Sequence, residues 1–531
     1  MRFANVPLRR LLGVLVACTP LTACSFLMDS QEVQCSTDDD CIGYEDNHPF
    51  CRNGICVPSG FRPAGCYYGT PSAQAHYLNA CSTAQCEPYD NCARLGLCDA
   101  TKALPPTVGP PDAGSAPSAP DVGPDAGPDA GTDGDAGATE GLDAGTSVGL
   151  DAGPGLPKCS NGMESKVIYM TGAADFPPLL QKLQQRILKE TWRGVFVDAA
   201  SCVGVNAAYS RDPAKRKIQN KPAYYYDYPD ANKVSCSLDK DGNIVDVGVS
   251  DLFPETCSPD KEEGVEVGDY RSAVVAFTIA VSKNSDQESI SAEALRLIFG
   301  NGGRWPDGRE ATSPWTDPKY FAIRTSGAAS TVLASAMSGV TTPWWGVDAK
   351  TTDGLRSALY GVPTEDKDKT VGVLSIDYLE KGLGKENLKP LYLQAPGQLC
   401  GYVPNSTRET KDKINVRDGH YPLWGYLHFL VRKPNSPGAS AFLEHFTRPN
   451  LDQALLEAII ENSIVPLCAM RVSRSKELTA KDPADFSPAS GLQCHCFFDS
   501  KTSKTSCKPC TEASQCPAET PACNYGYCEK R

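Results

Sequence analysis

The chain has 531 residues, a formal net charge of −13, 41% hydrophobic residues and 24 cysteines. That length allows several domains with a sizeable core, while the acidic balance excludes the basic face that nucleic acid or anionic lipid would require. So many cysteines belong in an oxidising compartment, where most pair as disulfides.

Residues 1–24, MRFANVPLRRLLGVLVACTPLTAC, have a basic start, an apolar run and a small-residue end, the pattern of an export signal. The closing Leu21-Thr22-Ala23-Cys24 resembles the bacterial lipobox, so Cys24 is expected to be lipidated and to open the mature chain. The plainer reading is a secretory signal whose cut site contains a cysteine. Ser25 in the next place is similar to the outer-membrane pattern of Gram-negative lipoproteins. No later stretch has the roughly 20 apolar residues of a membrane helix, so the lipid would be the membrane anchor, at the periplasmic face or the cell surface.

Two cysteine-rich segments flank the middle of the chain. Residues 25–100 hold nine cysteines from Cys35 to Cys98, and residues 471–531 hold seven from Cys494 to Cys528. C-x5-C-x9-C-x4-C in the first and C-x5-C-x6-C-x4-C in the second form an internal repeat, each unit too small to bury an adequate core without cross-links. Both counts are odd, so full pairing needs bridges that leave each segment, which would bring the two ends together. Cys494-x-Cys496 with Cys507-x2-Cys510 also has zinc-like spacing, but the oxidising compartment favours two disulfides. Between the first segment and the core, residues 101–157 repeat Asp-Ala-Gly six times among Pro, Ser and Gly. Such a composition cannot form a core and reads as a disordered, acidic tether.

Residues 158–470 alternate β-branched apolar runs (166–170, 194–197, 274–281, 320–323, 371–375, 391–393) with helical periods. Leu179, Leu180, Leu183, Ile187 and Leu188 share one face of a helix over 177–188. Ser291 caps a short helix that Gly300 ends, and further helices are expected over 326–337, 441–446 and 451–460. Strand, helix, strand in repetition predicts an α/β fold with a mostly parallel sheet. Cys202, Cys236, Cys257 and Cys400 are expected to brace a tyrosine-rich insertion over 210–259.

In open α/β sheets, ligands sit beyond the carboxyl ends of strands, where helix N-termini offer unpaired N–H groups. Four strand-to-helix junctions carry suitable residues in order: Thr171 to Phe176 with Asp175, the stretch around Ser201, Ser250-Asp251 closing a strand, and Arg324 followed by Ser326, Gly327 and Ala328.

These landmarks resemble the phosphate-type periplasmic substrate-binding proteins, the extracytoplasmic receptors of ABC transporters. YMTGAADFPPLL is similar to that family's first anion loop, VDVGVSDLF to its strand-Ser-Asp segment, and AVVAFTIAVSKNS to its crossover strand. ALRLIFGNGGRWPDG and FAIRTSGAAST resemble its second-lobe helix and arginine loop, with VGVLSIDYLEKG and YPLWGYLHFLV leading back to the first lobe. The resemblance implies a two-lobed periplasmic-binding-protein-like α/β domain of type 2, with lobe one over 160–275 and 390–470 and lobe two over 280–385. It implies a non-catalytic receptor for phosphate or another small oxyanion, with an ABC transporter permease as partner. Phe176 would offer a backbone N–H, Ser201 a hydroxyl, Ser250-Asp251 a carboxylate from Asp251, Arg324 a guanidinium, and Ser326, Gly327 and Ala328 further donors. An arginine forks onto two oxyanion oxygens, whereas an ionised aspartate only accepts and therefore favours an anion that still carries a proton.

Two departures weaken that expectation. Asp175 stands where the family has a donor threonine, and the Arg324 loop is two residues short if Ser326-Gly327 is matched to the family's Ser-Gly, or loses that Ser and Gly if Ser330 is matched to its threonine. With Phe-Pro-Pro next in the chain, Asp175 reads as the N-cap of the following helix, in the place of a phosphate ligand. The alternative function is a degenerate receptor-like scaffold acting as a cell-surface interaction protein. A hydrolase working through Ser250 is disfavoured, since residues 248–252 lack the second glycine of a nucleophile elbow. The six histidines show no paired metal spacing, so no metal or cofactor is expected. Trp344-Trp345 reads as a packed or rim pair rather than a cleft wall.

Overall fold

The computed structural model describes residues 50–52, 55–57, 60–61, 66–98, 104–110, 155–478 and 492–530, apart from 164, 449 and 504. The expected signal, Cys24 and most of the tether lie outside these residues. Residues 1–63 and 64–531 are two separate units. In the first, β1 (Phe50–Arg52) pairs antiparallel with β2 (Ile55–Val57), setting Cys51 opposite Cys56, and β3 (Gly60–Phe61) follows. The second opens with β4 (Tyr67–Tyr68), α1 (Gln74–Leu78) and α2 (Asn91–Leu95).

The core begins with β5 (Val167–Gly172), α3 (Pro177–Leu183), β6 (Arg193–Asp198) and α4 (Ser201–Tyr209). The insertion supplies β7 (Lys217–Ile218), β8 (Ala223–Tyr226), β9 (Lys233–Cys236) and β10 (Asn243–Ile244), and β11 (Val247–Ser250) returns to the sheet. A 16-residue strand, β12 (Val267–Ser282), then leads to β13 (Ser289–Ser291), α5 (Ala292–Asn301), β14 (Phe321–Ile323), α6 (Ala329–Ser338) and β15 (Val347–Asp348). After these come α7 (Thr352–Tyr360), β16 (Val371–Ser375), α8 (Asp377–Glu380), α9 (Gly382–Asn387), β17 (Leu388–Pro390) and β18 (Tyr392–Gln394). The chain returns through α10 (Ile414–Arg417), β19 (Trp424–Arg432), α11 (Pro437–Thr447), α12 (Gln453–Glu461) and β20 (Val465–Pro466), and ends with α13 (His495–Thr502), β21 (Ala522–Asn524) and β22 (Tyr527–Glu529).

Strand β12 belongs to two sheets. Its first part pairs with β19, which carries β11, β5, β6, β8 and β9 in turn; its last part pairs with β16, followed by β14 and β15. The sheets are mixed: β5, β6 and β11 run parallel, as do β14, β15 and β16, while β12 and β19 run antiparallel to each other. Parallel strands need covered faces, and this is why β11 and β16 are buried at every position. The run 388–394 lies in the second half, not the first, because β17 pairs with the end of β12 and β18 with β13.

Helix α3 opens on Pro177, as a proline-tolerant first turn should, and buries Leu179, Leu180 and Leu183 before a π-helical turn over Gln184–Leu188. Ser291 caps α5 by accepting from Ala294 N, as its position predicts, but the helix runs past Gly300 to Asn301 and ends at Gly302 in the left-handed conformation. Gly300 is instead a contact point, since a Cβ there would sit 2.5 Å from the Thr107 side chain.

That contact shows where the start of the expected tether goes. Pro105 O accepts from the Arg296 guanidinium, and Val108 bonds Gly300 O through its N–H and Trp345 Nε1 through its carbonyl, so residues 104–110 lie along α5. Extended prolines leave their carbonyls free for such donors. Trp344 stacks on Phe299 at 4.1 Å, so the tryptophan pair packs against the outer helices and not the cleft.

Nine disulfides are seen among the described residues. Cys159–Cys236 and Cys202–Cys257 brace the insertion, but Cys400 does not; it joins Cys86 in the amino-terminal segment. The odd counts are resolved by bridges to the core, Cys86–Cys400 and Cys468–Cys494, rather than by the two ends pairing. The zinc-like spacing dissolves the same way, with Cys496 bound to Cys507 and Cys510 to Cys523. No helix among the described residues is long and apolar enough to cross a membrane.

Candidate functional site

Five chain segments meet at one crevice between the halves. The first leaves β5 at Gly172, whose φ of +136° and close approach to Val249, where a Cβ would sit 1.8 Å from the carbonyl oxygen, leave room for glycine alone. The turn that follows drops Asp175 into the interior at 8% exposure. Asp175 is not a helix cap: the N-cap position of α3 is Phe176 in helical conformation, with no side-chain cap bond. Neither carboxyl oxygen of Asp175 has a donor. The Phe176 N–H is spent on Ala173 O, and its ring packs between Phe196 and Phe429. Phe176 is therefore a core residue and not an anion donor.

Ser201 is the first residue of α4. Its hydroxyl donates to Asp251 Oδ2 at 3.3 Å and accepts from Asp251 N at 3.2 Å, which locks the two loop tips together. Ser250 behaves differently: its hydroxyl donates to Leu252 O at 2.9 Å and accepts from Leu252 N at 3.0 Å, tying off its own turn. Across the sheet Ser250 faces His428, which binds Asp269 at 2.7 Å, but a hydroxyl committed to its own backbone and fully buried is no nucleophile.

From the second half comes Arg324, after β14, bonding Thr352 Oγ1 through Nη1 while its buried Nε is unpartnered. The loop behind it does not supply the expected donors. Ser326 is exposed, and Gly327 turns its carbonyl to Cys202 N at 3.3 Å. Ala328, Ala329 and Ser330, at the start of α6, are what reach the crevice. The fifth segment is one that the sequence reading misses: β16 ends at Ser375, which lines the crevice, and Asp377 follows, buried at 7% exposure. The signal for it is present in VGVLSID, which repeats the strand-end serine and aspartate of VDVGVSD.

Asp175, Ser201, Asp251, Arg324, Ala328, Ser330, Thr352 and Ser375 thus line one cavity of about 40 Å³. Drug-sized ligands occupy roughly 300–1,000 Å³, so the space suits a small inorganic ion. The crevice is closed, with Tyr378 Oη donating to Ala174 O at 3.4 Å and Cys202 N to Gly327 O from opposite halves.

The electrostatics are dominated by burial. Desolvation raises the Asp251 carboxyl well above the usual range, with the adjoining Asp175 adding to it and the Ser201 hydroxyl opposing. It also raises Asp175, against contacts with Asp251 and the Arg324 charge. Asp377 is pushed up to about 7 by burial and then by the Asp175 charge, with Ser375 opposing. Burial lowers Arg324 in turn, against Tyr378, Asp348 and Asp175. Ionised, Asp175 and Asp251 would be two acceptors without a donor between them; a shared proton removes the conflict.

A family profile described as the PBP superfamily domain matches residues 240–450, a span that includes Asp251, Arg324 and Asp377 and leaves Asp175 and Ser201 outside. The phosphate-binding protein PstS of Bacillus subtilis is 23% identical over 240 residues, covering 43% of this chain and 67% of that protein. Among solved structures, an ABC-type phosphate transport receptor from Vibrio cholerae is 12% identical with a TM-score of 0.35, covering 56% of this chain and 99% of that one. A human phosphate binding apolipoprotein is 14% identical with a TM-score of 0.37, covering 62% and 100%.

Proposed function

With a PBP superfamily domain over residues 240–450, we propose that the crevice is a solute-binding site for a small oxyanion that carries a proton, phosphate being the best match. One observation carries this reading: Arg324, Ser201 and Asp251, from three separate loop tips, line a single cavity sized for an ion. A guanidinium supplies the countercharge, the Ser330 hydroxyl supplies a hydrogen bond, and the Asp251 carboxylate, held in place by Ser201, accepts from the O–H that sulfate lacks at neutral pH. The role is capture without chemistry. The similarity to PstS of Bacillus subtilis supports the same choice of ligand, and a transporter permease is the partner such a receptor would serve. Lipidation of Cys24 would hold the domain in the cell envelope, at the outer membrane.

Calorimetric titration of the full chain with phosphate, arsenate and sulfate tests the reading. Phosphate and arsenate bind and sulfate does not, and Arg324→Ala lowers phosphate affinity at least about a hundredfold. Failure of every oxyanion to bind overturns it and leaves the surface-scaffold alternative.

A further inference from the structure

The second carboxyl is the feature that an oxyanion site does not need and this one has. Asp175 occupies the wall of the cavity, is more than nine-tenths buried, and has no donor for either oxygen. It also adjoins Asp251, whose Oδ1 is equally without a donor. If both were ionised, the cavity would hold two adjacent negative charges, with Asp377 a third nearby, against the single guanidinium of Arg324. An incoming anion would then meet net repulsion.

Among the described residues, the surrounding elements place no further cation against Asp175 or Asp251, although the Lys381 charge acts on Asp377. At the end of β6, Asp198 accepts from Tyr224 Oη at 2.7 Å, and Lys233 lies over the Tyr224 ring. On α8, Tyr378 reaches Ala174 O, and just past that helix Lys381 is turned away to Asn462 Oδ1. On the far side, Asp348 pairs with Lys350 and Asp353 with Arg356. A proton is the remaining source of positive charge, and a protonated carboxyl is also a donor.

We propose that Asp175 holds a proton in the liganded cavity and donates it as a hydrogen bond to the bound oxyanion, while Asp251 accepts from the anion's own O–H. This rests on the oxyanion reading above and deepens it: capture is gated by the protonation of the Asp175–Asp251 pair. The proton balance is simple. In the apo pair the shared proton rests on Asp251, the more strongly raised of the two, and faces Asp175; in the complex that proton passes to Asp175, facing a ligand oxygen, and the ligand brings its own proton, on an O–H from which Asp251 then accepts. When the pair has lost its shared proton at alkaline pH, a dibasic anion binds only by taking one proton from solvent.

The experiment compares phosphate affinity of the wild type and Asp175→Asn, a fixed neutral donor of the same shape, from about pH 6 to about pH 9. Phosphate's own ionisation cancels in the ratio of the two. The affinities agree within a few-fold at the acidic end, and the wild type then falls behind by up to about tenfold per pH unit as the pair ionises. A ratio that stays constant across pH, with both proteins binding, overturns the gating and leaves the oxyanion reading standing; no binding by the wild type at any pH overturns both. Should Asp175→Asn fail to fold, calorimetry of the wild type at the alkaline end in two buffers of different ionisation heat decides: uptake of up to about one proton per phosphate bound is expected, and zero uptake overturns the proposal.

Discussion

Helix α8 carries two buried carboxyl groups with opposite surroundings. Glu380 accepts from Lys413 Nζ at 2.7 and 2.9 Å and from Asn405 Nδ2 at 2.8 Å; burial opposes its charge, but Lys413 and Asn405 hold it below the usual range. Asp377, one turn earlier, has an oxygen with no donor and is pushed up to about 7. The difference teaches how to tell architecture from function in a buried polar cluster. A charge whose partners are all supplied by the protein is committed to the fold, whereas carboxyls left short of donors around a cavity are available to a ligand or a proton.

The sharpest way to break this contrast is Lys413→Met. It leaves Glu380 buried and uncompensated, and is expected to cost about 3–5 kcal/mol in chemical denaturation, with part recovered by adding Glu380→Gln. A loss under about 1 kcal/mol would show that the cluster is not structural.

Asp377→Asn works in the other direction. Because the folded-state value near 7 exceeds the ordinary 3.8, the folded protein keeps a proton that the unfolded chain has released. Wild-type stability therefore falls as pH rises from about 4 to about 7, and the cost is constant above that. The variant lacks this slope and should be more stable at about pH 8 by something on the order of 1–4 kcal/mol, with no gain at about pH 3. Thermal melts at the two pH values read the difference.

Smaller effects sharpen the division between Ser201, which opens α4, and Ser250, which ends β11. Ser201→Ala removes a hydroxyl bonded to Asp251 and is expected to weaken phosphate binding about five- to tenfold, equivalent to roughly 1 kcal/mol. Ser250→Ala touches only its own turn. It should cost about 0.5–1.5 kcal/mol of stability and leave phosphate affinity within about twofold, so a large loss of binding there would return Ser250 to the site.

Much of the fold was legible because its signals are local. The apolar runs of β5, β11 and β16, the leucine face of α3 and the Ser291 cap follow from periodicity and capping chemistry within a few residues. The site was legible in part. Ser201, Asp251 and Arg324 sit at strand ends, where the sheet brings ligands, whereas Ser326 and Gly327 were expected from a loop alignment that the shorter loop does not honour. Asp175 was misread as a cap because Asp-Phe-Pro-Pro has a cap's composition, yet the chain turns one residue later and sends the carboxyl inward. Asp377 is missed because an aspartate just past a strand looks the same in sequence whether it stays in solvent or is buried.

The order of residues was enough by itself to mark an acidic low-complexity stretch, a cross-linked periphery and an alternating α/β core, since each depends on composition or on spacing along a short window. Only the folded chain decided which cysteines meet, that residues 104–110 bind α5, and that Asp175 and Asp251 from distant segments share a cavity with Arg324. Local pattern determines which element a residue joins; whether a buried carboxyl finds a donor depends on where remote segments stop, and the hydrophobic packing of two half-molecules on one long strand settles that.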